Sequence, residues 1–223
     1  MDKEFSGCPE EMYRFFWELA FQNNKEFFEE NRSRYVTFVR EPMHALARTL
    51  LPAALEIDPE FDTRVPVIVS RIRRDTRYSR DKSPYRDHVW LGFKPAGVAT
   101  GETFMLYAEF ERTKYGYGMG MYQPNPAVMA EIRSRIIARP DTFLTLVNDA
   151  AFRTVFTPET CPYVRKKFSH ADAEVETWLN QKSIGFHFSS PDVSRTFSPD
   201  IADELLNALR LMQPVYRFLK GLD

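Results

Sequence analysis

The 223-residue sequence is poor in cysteine, poor in glycine, free of long apolar runs and almost free of net charge. Each shortage excludes something. Two cysteines, Cys8 and Cys161, each precede a proline and form no CxxC pair, so there is neither a disulfide framework nor a thiolate zinc motif. That usage fits a reduced compartment, and a cytoplasmic protein is expected. The longest uncharged stretch, Tyr115 to Ala130, is interrupted by Gly and Pro, so no membrane span is expected. The opening Met1-Asp2-Lys3-Glu4-Phe5 is acidic and does not read as a secretory signal. A formal charge of −1 argues against a wholly basic polymer-binding protein and against an acidic disordered chain. The histidines, His44, His88, His170 and His187, never fall at metal-ligand spacing. No GxSxG elbow, P-loop or EF-hand loop occurs, and Gly116, Gly118 and Gly120 have the wrong spacing for a dinucleotide fingerprint. No cofactor or metal site is readable.

What is present is bulk. Nineteen phenylalanines supply a core, and the hydrophobic period locates it. Met12, Phe15, Phe16, Leu19 and Ala20 make one helical face after Pro9-Glu10-Glu11, a favourable first turn. Asn23-Asn24 ends that helix and caps a second, which carries Phe28, Tyr35, Phe38 and Val39 and stops before Pro42. A third, from Met43 to Ala54, kinks or ends at Pro52. The period then becomes twofold. Val65, Val67 and Val69 run into Arg71 and Arg73; Val89-Leu91-Phe93, Thr103–Phe110 and Lys114–Tyr122 come next. Short links between them imply an antiparallel meander. Helices are expected from Asn125 and Asp141, an irregular stretch over 151–171, a late strand at Ile184–Phe188 and a C-terminal helix from Ser198, bent at Pro214. The expected fold is thus α+β over one domain, residues 1–223. A mostly antiparallel sheet, four meander strands plus one late strand, carries N-terminal, middle and C-terminal helices.

Residues 71–88, RIRRDTRYSRDKSPYRDH, hold seven basic side chains against three acidic ones, a local +4 in a chain whose remainder is −5. Arginine forks grip phosphate or carboxylate oxygens at two points, lysine adds a compact charge, and tyrosine hydroxyls orient such oxygens. The ligand-binding candidates are therefore Arg71, Arg74, Arg77, Lys82, Tyr78 and Tyr85. Asp75 and Asp81 are the nearest internal partners for the arginines. His88, Asp75 and Tyr85 are the proton-handling groups best placed in sequence. A solvated loop whose arginines pair with those aspartates fits the same composition.

The run Arg71-x-x-Arg74-Asp75-x-Arg77-Tyr78-x-x-Asp81-Lys82-x-x-Tyr85 resembles the signature of a bacterial family known as domain of unknown function 2461. The resemblance extends to Asn23-Asn24-Lys25-Glu26-Phe27-Phe28, Arg40-Glu41-Pro42, Gly118-Met119-Gly120-Met121-Tyr122-Gln123-Pro124 and Phe197-Ser198-Pro199-Asp200. Tyr78 stands where phenylalanine is usual, and Phe27 where tryptophan is common. The resemblance implies one full-length domain in a bacterial cytosol; it supplies no substrate and no catalytic residue.

Two further features bear on function. The Gly116, Gly118 and Gly120 face lacks side chains, which suits close approach of a ligand or backbone, or a cover of rings such as Trp90 or Tyr107. Arg165-Lys166-Lys167, with Arg133, Arg135 and Arg139, is a second basic group. The expected partner is a small phosphorylated or carboxylated anion. The alternatives are nucleic acid, which interleaved aromatic and basic residues also suit, and a purely structural ion-pair segment.

Overall fold

A computed structural model describes residues 4–77 and 80–223. The N-terminal half is helical. Helix α1 (Glu10–Phe21) buries Met12, Phe15, Phe16 and Leu19, the face expected from its period. Asn24 caps α2 (Lys25–Glu30), its side chain accepting the Phe27 N–H. A short α3 (Arg32–Tyr35) then opens into a widened π-turn, Val36–Arg40, and continues directly as α4 (Glu41–Ile57). The expected stop before Pro42 is therefore wrong. A proline ring clashes with the carbonyl four residues back in a regular α-helix, and here the turn before it is wound wider. Pro52 likewise fails to end α4, and it is on the exposed side of the helix.

The expected strand at Val65–Arg73 is also replaced. Val65–Ile68 forms one helical turn, α5, because Pro66 fits the first turn of a helix and cannot donate to a ladder. Beyond it the chain makes only a ragged edge. Val69 bridges Leu91, Arg73 bridges Tyr85, and the Ser70 N–H donates to the Trp90 carbonyl at 2.8 Å.

The sheet is wholly antiparallel. Its strands are β1 (His88–Phe93), β2 (Phe104–Glu111), β3 (Tyr115–Met121), β4 (Thr157–Pro162) and β5 (Gln181–Ser190), in the order β1-β2-β3-β5-β4. Between β3 and β4 lie α6 (Pro126–Ala138), α7 (Pro140–Val147) and α8 (Ala150–Val155), and α9 (Ala173–Leu179) precedes β5. The stretch expected to be irregular thus holds α8, capped by Asp149, and β4. With prolines at both 158 and 162, β4 gives no strand signal in sequence, and such a strand is tolerated at a sheet edge, where it lies.

One face of the sheet is core. Leu91, Phe104, Leu106, Phe110, Met119, Ile184 and Phe186 are at most 1% exposed and lie beneath α4 and α10 (Asp200–Lys220). Each such phenylalanine contributes about 2–3 kcal/mol of burial. α10 runs through Pro214 to Gly221, whose φ of 72° closes the helix as the Leu222 N–H returns to the Arg217 carbonyl. The other face carries the alternate residues, among them His88, Trp90, Met105, Tyr107, Glu109 and the β3 glycines. Those glycines are filled by backbone, not by rings. A Cβ on Gly118 would overlap the Phe186 carbonyl oxygen, and one on Gly116 would stand 2.6 Å from that of Phe188. Trp90 covers Gly92 instead, its ring edge 2.6 Å from where a Cβ would be.

Candidate anion-binding cleft

The segment after α5 is held on both sides by hydrogen bonds. The Arg74 N–H donates to the Pro84 carbonyl at 2.9 Å and the Arg86 N–H to that of Ile72 at 2.8 Å. Asn23 pins the return. Its side-chain amide donates to the Tyr85 carbonyl at 2.9 Å and accepts the Tyr85 N–H at 3.0 Å, doing for one residue what a neighbouring strand would do. Tyr85 is consequently core: 1% exposed, stacked on Phe28 at 4.2 Å, with the Arg73 guanidinium 5.6 Å from its ring centre.

Most of the cations in 71–88 have partners within the chain. Arg74 pairs with Asp81. Arg77 forks onto Asp75, its Nε 3.0 Å from Oδ1 and its Nη2 2.7 Å from Oδ2. Lys82 Nζ donates to the Thr76 carbonyl at 2.9 Å, and Arg86 Nη1 donates to those of Arg71 at 2.6 Å and Arg73 at 2.8 Å. The Arg77 side chain and backbone N–H hold the Asp75 carboxyl down to about 2, and the Ser83 amide and Arg74 do the same for Asp81. Tyr78 lies outside the described residues.

Arg71 is different. It is exposed and turns toward the helices, where a cleft of about 770 Å³ is walled by Tyr35, Arg40, Glu41, His44 and Arg48 on one side and by Pro66, Val67, Val69 and Ser70 on the other. Arg40, His44 and Arg48 are four residues apart, one face of a helix. Among the described residues the guanidinium groups of Arg40 and Arg71 have no carboxylate partner. Burial, together with the charges of Arg40 and Arg48, lowers the His44 pKa, so its imidazole is held neutral next to two cations. The wall can present guanidinium N–H groups, the Tyr35 hydroxyl and a neutral imidazole to an anion. The sequence reading missed Arg40, His44 and Arg48 because a break at Pro42 assigns Arg40 and His44 to separate helices; the four-residue spacing was the available signal.

His88 and Asp75 do not belong to this cleft. They line a second one, about 680 Å³, on the open sheet face with Arg86, Trp90, Tyr107 and Glu109. There His88 Nδ1 is 3.3 Å from Asp87 and its Nε2 3.7 Å from Glu109. Arg74 borders the groove that joins the two clefts, as do Arg71, Arg86 and Trp90. No group of three His, Cys, Asp or Glu side chains with metal-holding geometry occurs among the described residues. The second basic group is also engaged internally. Arg133 is buried and donates to the Leu179 carbonyl at 2.8 Å, Arg139 pairs with Asp223 at 2.7 Å, and Lys166 pairs with Glu176.

The family model for the conserved hypothetical protein DUF2461 matches residues 11–218. The chain belongs to that family. Both walls of the cleft, from Tyr35 to Arg48 and from Pro66 to Arg71, lie within the matched region. No curated protein matches the sequence.

Proposed function

We propose that this DUF2461 protein binds a small phosphorylated or carboxylated ligand in the cleft between Arg71 and the Arg40–His44–Arg48 face. The observation that carries the reading is the pair Arg40 and Arg71. Their guanidinium groups line one concavity together with that of Arg48, three arginines against Glu41, the one carboxylate lining it among the described residues. An excess of cations at a partly enclosed site favours an anionic guest, and arginine gives it two-point hydrogen bonds. Arg74 and Lys82 take a supporting part, holding the loop that carries Arg71 through their own pairings, whereas Arg77 only forks onto Asp75 at the exposed surface. The setting we propose is a bacterial cytosol, supported by the two free cysteines and by the family; among the described residues no helix is long and apolar enough to cross a membrane.

Titration calorimetry with inorganic sulfate, phosphate monoesters and short dicarboxylates tests this. One class of anion should bind, and Arg71→Ala and Arg40→Ala should each weaken it by about tenfold or more, the worth of a charged hydrogen bond. Arg77→Ala should leave it unchanged. Equal binding by Arg71→Ala and wild type would remove the proposal. A nucleic-acid ligand would instead show a steep loss with salt spread over many cations. The internal pairing of Arg74, Arg77, Arg139 and Lys166 leaves few for that role.

A further inference from the structure

The sheet-side cleft has a chemistry opposite to that of the helix-side cleft. Its floor is backbone. Gly120 lies opposite Met105 on β2 and beside Gly185 on β5, where a Cβ would stand 3.4 Å from the Gly185 Cα. Its walls are Trp90, Met105, Tyr107 and Tyr122, and its ends are acidic. Glu109 is on β2 opposite Gly116, and Glu159 is on β4 opposite Gly185. At roughly 3.3 Å per residue and 4.8 Å per strand, the backbone positions of the two carboxylates are about 20 Å apart. Gly120 and Gly185 lie in the cross-strand row of Met105 and Glu159, and Tyr107 stands on β2 between that row and Glu109. Neither Glu109 nor Glu159 pairs with a lysine or arginine among the described residues. Of the basic groups lining the cleft, Arg86 is committed to the Arg71 and Arg73 carbonyls and His88 is held between Asp87 and Glu109.

A trough of this kind selects by shape and charge together. Carboxylates at both ends require a cation at each end of the ligand. Aromatic and thioether walls over a floor without side chains suit an apolar connector, and ring faces attract ammonium groups. We propose that the sheet-side cleft is a second binding site that takes a linear aliphatic polyamine, its terminal ammonium groups at Glu109 and Glu159 and its methylene chain along Gly120 and Gly185 between Trp90 and Tyr107. A single ammonium satisfies one end only. Burial raises the Glu109 pKa against the opposing pull of His88 and Lys114, with Glu111 adding to the rise, so this carboxylate is one that an incoming cation relieves. The site stands independently of the anion reading, since it shares neither Arg40 nor Arg71.

Spermidine is the probe, titrated into the full-length protein by calorimetry at physiological salt, with butylamine as the one-headed control. Spermidine should bind at least about tenfold more tightly than butylamine, and Glu109→Gln and Glu159→Gln should each cost about fivefold to tenfold, as loss of a charge-assisted hydrogen bond does. Gly120→Val, which fills the floor and leaves both carboxylates, should abolish binding while the melting temperature confirms folding. Arg71→Ala should change nothing here, so failure of the anion site and failure of this one read separately. Spermidine binding no tighter than butylamine, or unaltered in both glutamine variants, overturns the assignment.

Discussion

The two sides of the segment from Val69 to His88 are electrostatic opposites built from one composition. On the helix side, Arg40 and Arg71 stand with Arg48 and a neutral His44 at a concave surface whose one acidic lining residue, among those described, is Glu41. On the sheet side, Glu109 and Glu159 stand at another without Lys or Arg partners among the described residues. In the loop between, Arg74, Arg77, Asp75 and Asp81 cancel one another. The difference teaches that local charge density does not locate a site. The +4 of residues 71–88 is mostly consumed by hydrogen bonds inside the segment, whereas Arg71 at its margin stands next to Arg40 and Arg48 from a distant element and adds to an excess of like charge. Charges matched by neighbours in sequence hold a loop in shape; charges left unmatched across elements are the ones available to a ligand.

The strongest way to break this contrast is charge reversal. Arg40→Glu removes one cation of the cleft and sets a second carboxylate, next to Glu41, opposite Arg71. Anion affinity should fall about a hundredfold or more, while the same reversal at Arg77 costs less than about twofold. Equal losses at the two positions, read by calorimetry, would show that bulk charge rather than the cleft does the binding. Next in size is Asn23→Ala. It leaves both the N–H and the carbonyl of Tyr85 without their partner under the Phe28 stack. A loss of about 2 kcal/mol is expected, a drop in melting temperature of roughly 4–8 °C. Anion affinity should fall as well, since Arg71 is carried by the same strand pair. A stable variant with intact affinity would mean that the segment holds itself.

How much of this was legible depends on which physics the signal reports. The sheet faces at β1, β2, β3 and β5 obey the twofold alternation of Val89-Leu91-Phe93, Phe104–Phe110, Tyr115–Met121 and Ile184–Phe188, because one side is core and the other is open. Valines 65, 67 and 69 show the same alternation and still form a turn and an edge, since the ring of Pro66 overrides side-chain pattern through the backbone. β4, with its two prolines, lacks any apolar period, and its pairing with β5 is a long-range fact. The helix continuity across Pro42 depended on a π-turn that no propensity encodes, and that continuity is what aligns Arg40 with His44 and Arg48. Asn23 reads as a helix cap, yet Asn24 takes that role and Asn23 reaches 62 residues along the chain. The Asp75 and Asp81 pairings were readable from proximity; which arginine escapes them was not, because that is decided by where α4 packs.

A smaller effect probes the neutral His44. Its pKa is depressed by burial and by Arg40 and Arg48, with Tyr35, Glu41 and Arg71 completing the surroundings. An anion seated there offsets those cations and raises it, so binding takes up a proton. Affinity for sulfate, whose own charge is constant over the range, should therefore increase several-fold between about pH 8 and about pH 5.5. His44→Gln should flatten the profile. A flat wild-type profile would place the anion away from the imidazole.

The smallest expected effect tests the acidic side without any ligand. Burial raises the Glu109 carboxyl above its ordinary range, so the folded state binds that proton more tightly than the unfolded chain does. A raised folded pKa contributes stability that is complete below the unfolded value and lost as pH rises through the folded one. At neutral pH the ionised carboxylate is then a net cost, carried beside His88 and Glu111 with no arginine or lysine bonded to it. Glu109→Gln keeps the shape and removes that cost. Its melting temperature should exceed that of wild type by about 1–3 °C at neutral pH, and the gap should close on acidification as wild-type Glu109 takes up its proton. A residue kept for stability would show the reverse order, and Arg77→Ala, which removes an exposed pair, should show no resolvable change at either pH. A stabilised Glu109→Gln that has also lost spermidine binding would mark a carboxylate held against the interest of the fold, the behaviour expected of a binding group.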